Sequence, residues 1–137
     1  MTDRHAAIRE LADALRALHH RLVLATQKGF EKLHGRVEGP GALLQIVLHD
    51  PLFAWLRPLS QLLATLDDHA AGEIVTASDV DRARASVAKL VEEDGEFRAS
   101  YLVYLQAEPD VVMAHATLRR QIARSSRKDF PSVAERG

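Results

Sequence analysis

Seven histidines in 137 residues make metal binding and acid–base chemistry the first readings to test. Di-metal sites in helical bundles use paired Glu-x-x-His motifs, with further carboxylates from neighbouring helices. Only Glu31-Lys32-Leu33-His34 has that spacing, and Lys32 and Gly35 beside it mark an exposed helix end. There is no His-x-x-x-His, no His-Glu-x-x-His and no cysteine, so the usual zinc ligand sets are missing and no disulfide can form. Nucleophilic catalysis has equally little to work with. Ser60, Ser78, Ser86 and Ser100 sit on no glycine-flanked turn, unlike a nucleophile held on a strained elbow. His19 lies on the flank of its helix stripe and His20 points outward, and neither has a partner at catalytic spacing. Gly35, Gly39 and Gly41 are wrongly spaced for a phosphate loop. The sequence leans away from an enzyme and implies no cofactor.

One constellation survives. If the helices alternate up and down, one pole of the bundle gathers His34, His49, Asp50, Tyr104, Asp110 and His115, with Trp55 one turn deeper. Histidine, carboxylate and tyrosine converging between helices can hold a metal ion or a small polar ligand. Each residue also has a structural explanation. Asp50 and Asp110 are helix N-caps, His49 faces the negative end of a helix, and Tyr104 is a core aromatic with a wet tip. His115 lies on an apolar face, where a histidine is more often bonded internally than used as a ligand. The candidate ligand-binding residues are thus His49, Asp50, Trp55, Tyr104 and His115.

A second feature is the run Arg119, Arg120, Arg124, Arg127 and Lys128, with no acid between Val111 and Lys128. Such a run can meet an anionic partner, although cations are also favoured at a helix C-terminus. No aromatic residue interleaves it, and the formal net charge is -1, which argues against nucleic acid as the partner.

The elements that must position these groups follow from the apolar spacing. Ile8, Leu11, Leu15, Leu18, Leu22, Ala25, Gly29 and Leu33 form one stripe on a helix from Arg4 to His34, about 45 Å long. Gly35 ends it, and residues 42–49 form a short apolar connector. Asp50-Pro51 then starts a helix, since Asp caps free N–H groups and Pro suits the first position. Leu52, Leu56, Leu59, Leu63 and Leu66 continue in phase, so the stretch from Leu43 to Leu66 reads as the central core element. Pro58 should kink it rather than end it. Ser78-x-x-Asp81 resembles a capping box opening a third helix, whose phase runs unbroken through Gly95 to Ala107. Pro109-Asp110 opens a fourth helix, ending near Arg124.

These elements predict an all-α, four-helix-bundle-like domain over residues 1–124, with one extra connector helix and a kinked second long helix. Residues 125–137 read as a flexible tail, with Phe130-Pro131 as a docking point. Apolar content is 47% with few aromatics, which suits a core of Leu, Val and Ala. No stretch approaches the roughly 18 apolar residues of a membrane span, and no signal core opens the chain. A cytoplasmic protein is expected, and the Arg- and Ala-rich composition fits a GC-rich bacterial genome.

The segments LHDPLFAWLRPLS and LQAEPDVVMAHATLR resemble those of small all-helical bacterial proteins of unknown function. The resemblance covers most of the chain after Gly41 and implies a helical bundle, with no activity attached. Wide apolar faces, set by Val23, Leu24 and Phe30 on the first helix and Val103 on the third, exceed one narrow seam. They point to a non-enzymatic bundle acting through protein–protein contacts, with a homodimer as one form. The alternatives are the histidine-rich pole as a ligand or metal site, and the basic run as an anionic-partner surface.

Overall fold

The computed structural model describes residues 3–124; the expected tail, and with it Arg127 and Lys128, lies outside them. Those residues form six α-helices and a 3-10 segment, with no strand among them. The helices are α1 (Asp3–His34), α2 (Pro40–His49), α3 (Arg57–Ala71), α4 (Ala77–Glu92), α5 (Glu96–Ala107) and α6 (Pro109–Ala123), with the 3-10 segment Pro51–Leu56 between α2 and α3. The all-helical class expected from the spacing is what the chain adopts.

The centre of the fold is α1 rather than the stretch after Leu43. It buries eleven residues, against two in the 3-10 segment, two in α3 and none in α2. Its stripe from Ile8 to Ala25 is covered from several sides, most extensively by α6 and α3. Both run antiparallel to it. Arg124 reaches Glu10 at 2.9 Å, while Lys28 reaches Glu108 at 2.8 Å. On the other side His19 meets Ser60 and His5 meets the Gly72 carbonyl. Beyond Phe30, which still packs on Phe53, the helix outruns its neighbours. Leu33, the last residue of the stripe, is 73% exposed.

Gly35 and Gly39, with φ of 89° and 90°, make the reversal into α2; few other residues tolerate that left-handed backbone. Asp50 behaves as expected, its Oδ1 accepting the Leu52 N–H at 2.9 Å. The turns after it are 3-10, and Pro58 lies in the first turn of α3. There its missing N–H costs little.

Two boundaries differ from expectation. The capping box is formed by Thr76 and Asp79, two residues before the Ser78–Asp81 pair. The Thr76 hydroxyl accepts the Asp79 N–H at 3.0 Å and the Asp79 carboxylate accepts the Thr76 N–H at 2.9 Å. That N–H, with the Thr76 hydroxyl and Arg82, holds the Asp79 carboxyl well down, at about 2. The helix expected to continue through Gly95 instead breaks between Glu92 and Glu96. The residues there are Glu92-Glu93-Asp94-Gly95-Glu96. Acids are disfavoured at a helix C-terminus and favoured in a first turn, so a break lets Glu96 open α5. Arg98 seals the gap by donating to the Val91 carbonyl at the end of α4.

Candidate functional site

The aromatic residues of the 3-10 segment and α5 assemble into one chain. Trp55 stacks on Tyr104 at 5.4 Å with rings 3° from parallel, and meets Phe97 at 5.3 Å. Phe97 in turn contacts Tyr101 at 5.7 Å. Tyr101 is fully buried, and its hydroxyl lies 2.6 Å from His115 Nδ1 on α6. Burial pushes the Tyr101 hydroxyl above its ordinary range, so it stays protonated, and the His115 tautomer sets which of the two donates. Burial, with the nearby Arg119 and Arg98 charges, lowers the His115 pKa, while Glu92 opposes the shift. The lowered pKa favours the neutral imidazole in this bond.

Of the predicted pole, therefore, Trp55 and Tyr104 meet directly, and His115 joins them through Phe97 and Tyr101. The rest go elsewhere. His49 is exposed at the end of α2, Asp50 caps the 3-10 segment, and His34 packs its ring on Phe30 at 4.6 Å. Asp110 is exposed and faces Arg21 at 3.7 Å. Among the described residues no hydrogen bond, ion pair or ring contact links His49 or Asp50 to the aromatic chain. Among the described residues no group of three or more His, Asp or Glu side chains is placed to hold a metal ion.

The histidines have a different common role, which spacing did not reveal. Four of them tie separate elements together. His5 Nε2 lies 2.8 Å from the Gly72 carbonyl, and His19 Nε2 lies 2.9 Å from Ser60 Oγ. His69 lies 3.6 Å from Asp79, and His115 bonds Tyr101. These pairs are distant in sequence, and no local motif marks them. The His19–Ser60 spacing is that of a base and a nucleophile. Among the described residues, however, no third side chain bonds the other ring nitrogen, which a catalytic base needs for orientation. Burial is the main cause lowering the His19 pKa, with the His20 charge adding to it.

The three described residues of the basic run bond other groups of the same molecule at its surface. Arg119 pairs with Glu92 of α4 and Arg124 with Glu10 of α1, so both pin α6 to its neighbours. Arg120 donates to Thr117 Oγ1 at 3.2 Å.

Two clefts remain. One, of about 390 Å3, runs between α3, α4 and the α4–α5 turn, where Pro58, Leu62, Leu90 and Phe97 mix with Lys89, Glu93, Asp94, Glu96 and Arg98. The other, of about 380 Å3, separates α2 from α1 and is lined by Arg16, His19, His20, Val23, Pro40, Leu43, Leu44 and Val47. No carboxylate lines it.

No family model, curated protein or solved structure matches this chain. That agrees with a resemblance confined to small helical proteins without an assigned activity, and it leaves the surface of the molecule as the guide. The expected contact faces divide there. Val23 and Phe30 are half-buried against the core, while Leu24 and Val103 are exposed. Another exposed apolar surface is α2, the short apolar connector of the sequence pattern. It contains no Asp, Glu, Lys or Arg. Leu44 and Leu48, one turn apart, are 55% and 51% exposed.

Proposed function

We propose that this protein is a non-enzymatic helical interaction module, and that α2 is its contact surface. One observation carries the reading: a ten-residue helix with the composition of a core element contributes no buried residue. Leaving Leu44 and Leu48 about half exposed forgoes roughly 1 kcal/mol per side chain relative to full burial. Contiguous apolar surface of this kind marks an interaction site more often than a bare exterior.

The framework behind it is read as a four-helix bundle of α1, α3, the α4–α5 pair and α6, with α2 added on the outside. The junction of the 3-10 segment with α3 at Pro58 then takes the place of the expected kink. What supports this is the packing of α3, α4 and α6 on one central helix. In this reading the aromatic chain and the histidine bonds stiffen the bundle so that α2 is held out rather than folded in.

The test replaces Leu44 by a photoreactive benzoylphenylalanine in the full chain and irradiates cells that express it. A specific protein adduct is the expected outcome. No adduct at Leu44, with efficient incorporation and a folded product, would overturn the proposal.

A further inference from the structure

The chain has one tryptophan, two tyrosines and no cysteine, and the fold brings both tyrosines to the tryptophan by different routes. Tyr104 stacks directly on Trp55 at 5.4 Å. Tyr101 is reached through Phe97, in ring steps of 5.3 and 5.7 Å. The two differ at the hydroxyl. Among the described residues the Tyr104 hydroxyl has no hydrogen-bond partner, whereas Tyr101 Oη lies 2.6 Å from His115 Nδ1.

Hydrogen-bond satisfaction gives that bond a direction. Tyr101 is fully buried, and its hydroxyl has no second partner among the described residues. With the His115 proton on Nδ1, the Tyr101 O–H would be buried without an acceptor, which is the costly arrangement. With the proton on Nε2, the phenol donates, Nδ1 accepts and both atoms are satisfied. A buried phenol thus points its proton at a base, and the half-buried His115 ring keeps a route to solvent for it.

We infer that Trp55, Tyr101 and His115 form a proton-coupled electron relay, in which an oxidising equivalent taken up at Trp55 settles on Tyr101 and the phenolic proton passes to His115. An outer-sphere one-electron oxidant is the sole co-reactant. It removes one electron from the half-buried Trp55 indole. Tyr101 then returns an electron to Trp55, with Phe97 as the contact between them. The Tyr101 O–H bond breaks as an N–H bond to His115 Nδ1 forms, leaving a neutral phenoxyl radical and an imidazolium. The proton must leave, because a cationic phenol there would be a buried, unpaired charge. Proximity to Trp55 favours Tyr104, but that hydroxyl has no bonded base to take its proton. Arg119 and Arg98 oppose a charged His115 and Glu92 favours it, so the proton returns to the phenoxyl oxygen once the radical is reduced. The bundle can therefore hold one oxidising equivalent out of contact with water. This activity is independent of α2 and its contacts.

Flash oxidation of the full chain by photogenerated ruthenium(III) tris-bipyridine, freeze-quenched for electron paramagnetic resonance, reads where the equivalent settles. Tyr104→Phe keeps a ring on Trp55 and leaves Tyr101 as the one tyrosine of the chain. It should show the tyrosyl radical at wild-type yield, and loss of the signal overturns the relay. Adding Trp55→Phe to it should slow the appearance of the radical at least about tenfold; an unchanged rate overturns entry at Trp55. His115→Gln keeps a hydrogen-bond acceptor but no base, so it should slow Tyr101 oxidation at least about tenfold and leave a tryptophan radical instead. A radical formed at wild-type rate in His115→Gln would reduce His115 to a packing role and overturn the proton transfer. Should His115→Gln fail to fold, high-field resonance of Tyr104→Phe decides the same point. A g-tensor shifted by a hydrogen bond to the phenoxyl oxygen supports the relay, and an unshifted one overturns it.

Discussion

Acidification should loosen this fold well before its carboxylates protonate, and two histidines set the slope. His19 and His115 are both neutral-favouring in the folded state, and burial is the leading cause for each. His20 adds to the effect at the first, and Arg119 and Arg98 at the second. In the unfolded chain both titrate near 6.5. Between their depressed folded values and about 6.5, the unfolded chain binds more protons, so stability is fully present above that pH and falls as the pH falls. One proton sets an upper limit of about 1.4 kcal/mol per pH unit, and two set about 2.7. Asp79, at about 2 when folded, contributes in the same direction, but only as pH falls below the ordinary carboxylate range. Urea unfolding followed by Trp55 fluorescence, in half-unit steps from about pH 7.5 to 5, therefore isolates the histidines. His19→Gln and His115→Gln should each remove part of the slope, and the double variant should be nearly flat. A double variant that keeps the wild-type slope, or a wild type that gains stability on acidification, would refute the reasoning.

Other expectations are simpler to check. Leu22→Ala should cost about 2–5 kcal/mol, as for a well-packed core leucine, whereas Leu33→Ala in the same stripe should stay within about 0.5 kcal/mol; chemical denaturation compares them. Thr76→Ala removes the hydroxyl half of the capping box and should cost about 1 kcal/mol, measured the same way. Trp55 Nε1 is buried with no hydrogen-bond partner among the described residues. Trp55→Phe keeps a ring on Tyr104 and removes a desolvated N–H, so it should cost less than about 1.5 kcal/mol. A loss above about 3 kcal/mol, the range of a full aromatic deletion, would mean that the indole N–H has a partner.

The helices themselves were legible because apolar spacing reports a local property. The stripe Ile8 to Ala25 and the starts at Asp50 and Pro109 could be read directly. What the spacing cannot report is how far the neighbours extend. Leu22 and Leu33 are equivalent on the helical wheel, yet one is buried and the other lies beyond the end of the packing. The phase through Gly95 misled for a related reason. Val87 and Phe97 both reach the core, so the apolar register survives a break set by acids beside a helix C-terminus. At the pole, Trp55 and Tyr104 were placed together correctly because both fell at the same helix ends. The histidine bonds were invisible, since His19 and Ser60 are 41 residues apart and each looks unremarkable alone. α2 shows the converse: its composition resembles a core element, and composition carries no information about whether a neighbour is present.

The antiparallel pairing of α1 with α6 also governs the order in which this chain can be made. Glu10 and Arg124 are 114 residues apart, so the first described helix waits for the last described one. At about 5–20 residues per second that interval is roughly 6–23 s. Throughout it Leu15, Leu18 and Leu22 have no cover from α6, and an isolated helix is marginal in water. Nascent chains stalled before Pro109 should accordingly remain open to protease and to chaperones that grip leucine-rich segments. Protection should arrive in one late step once α6 has cleared the exit tunnel.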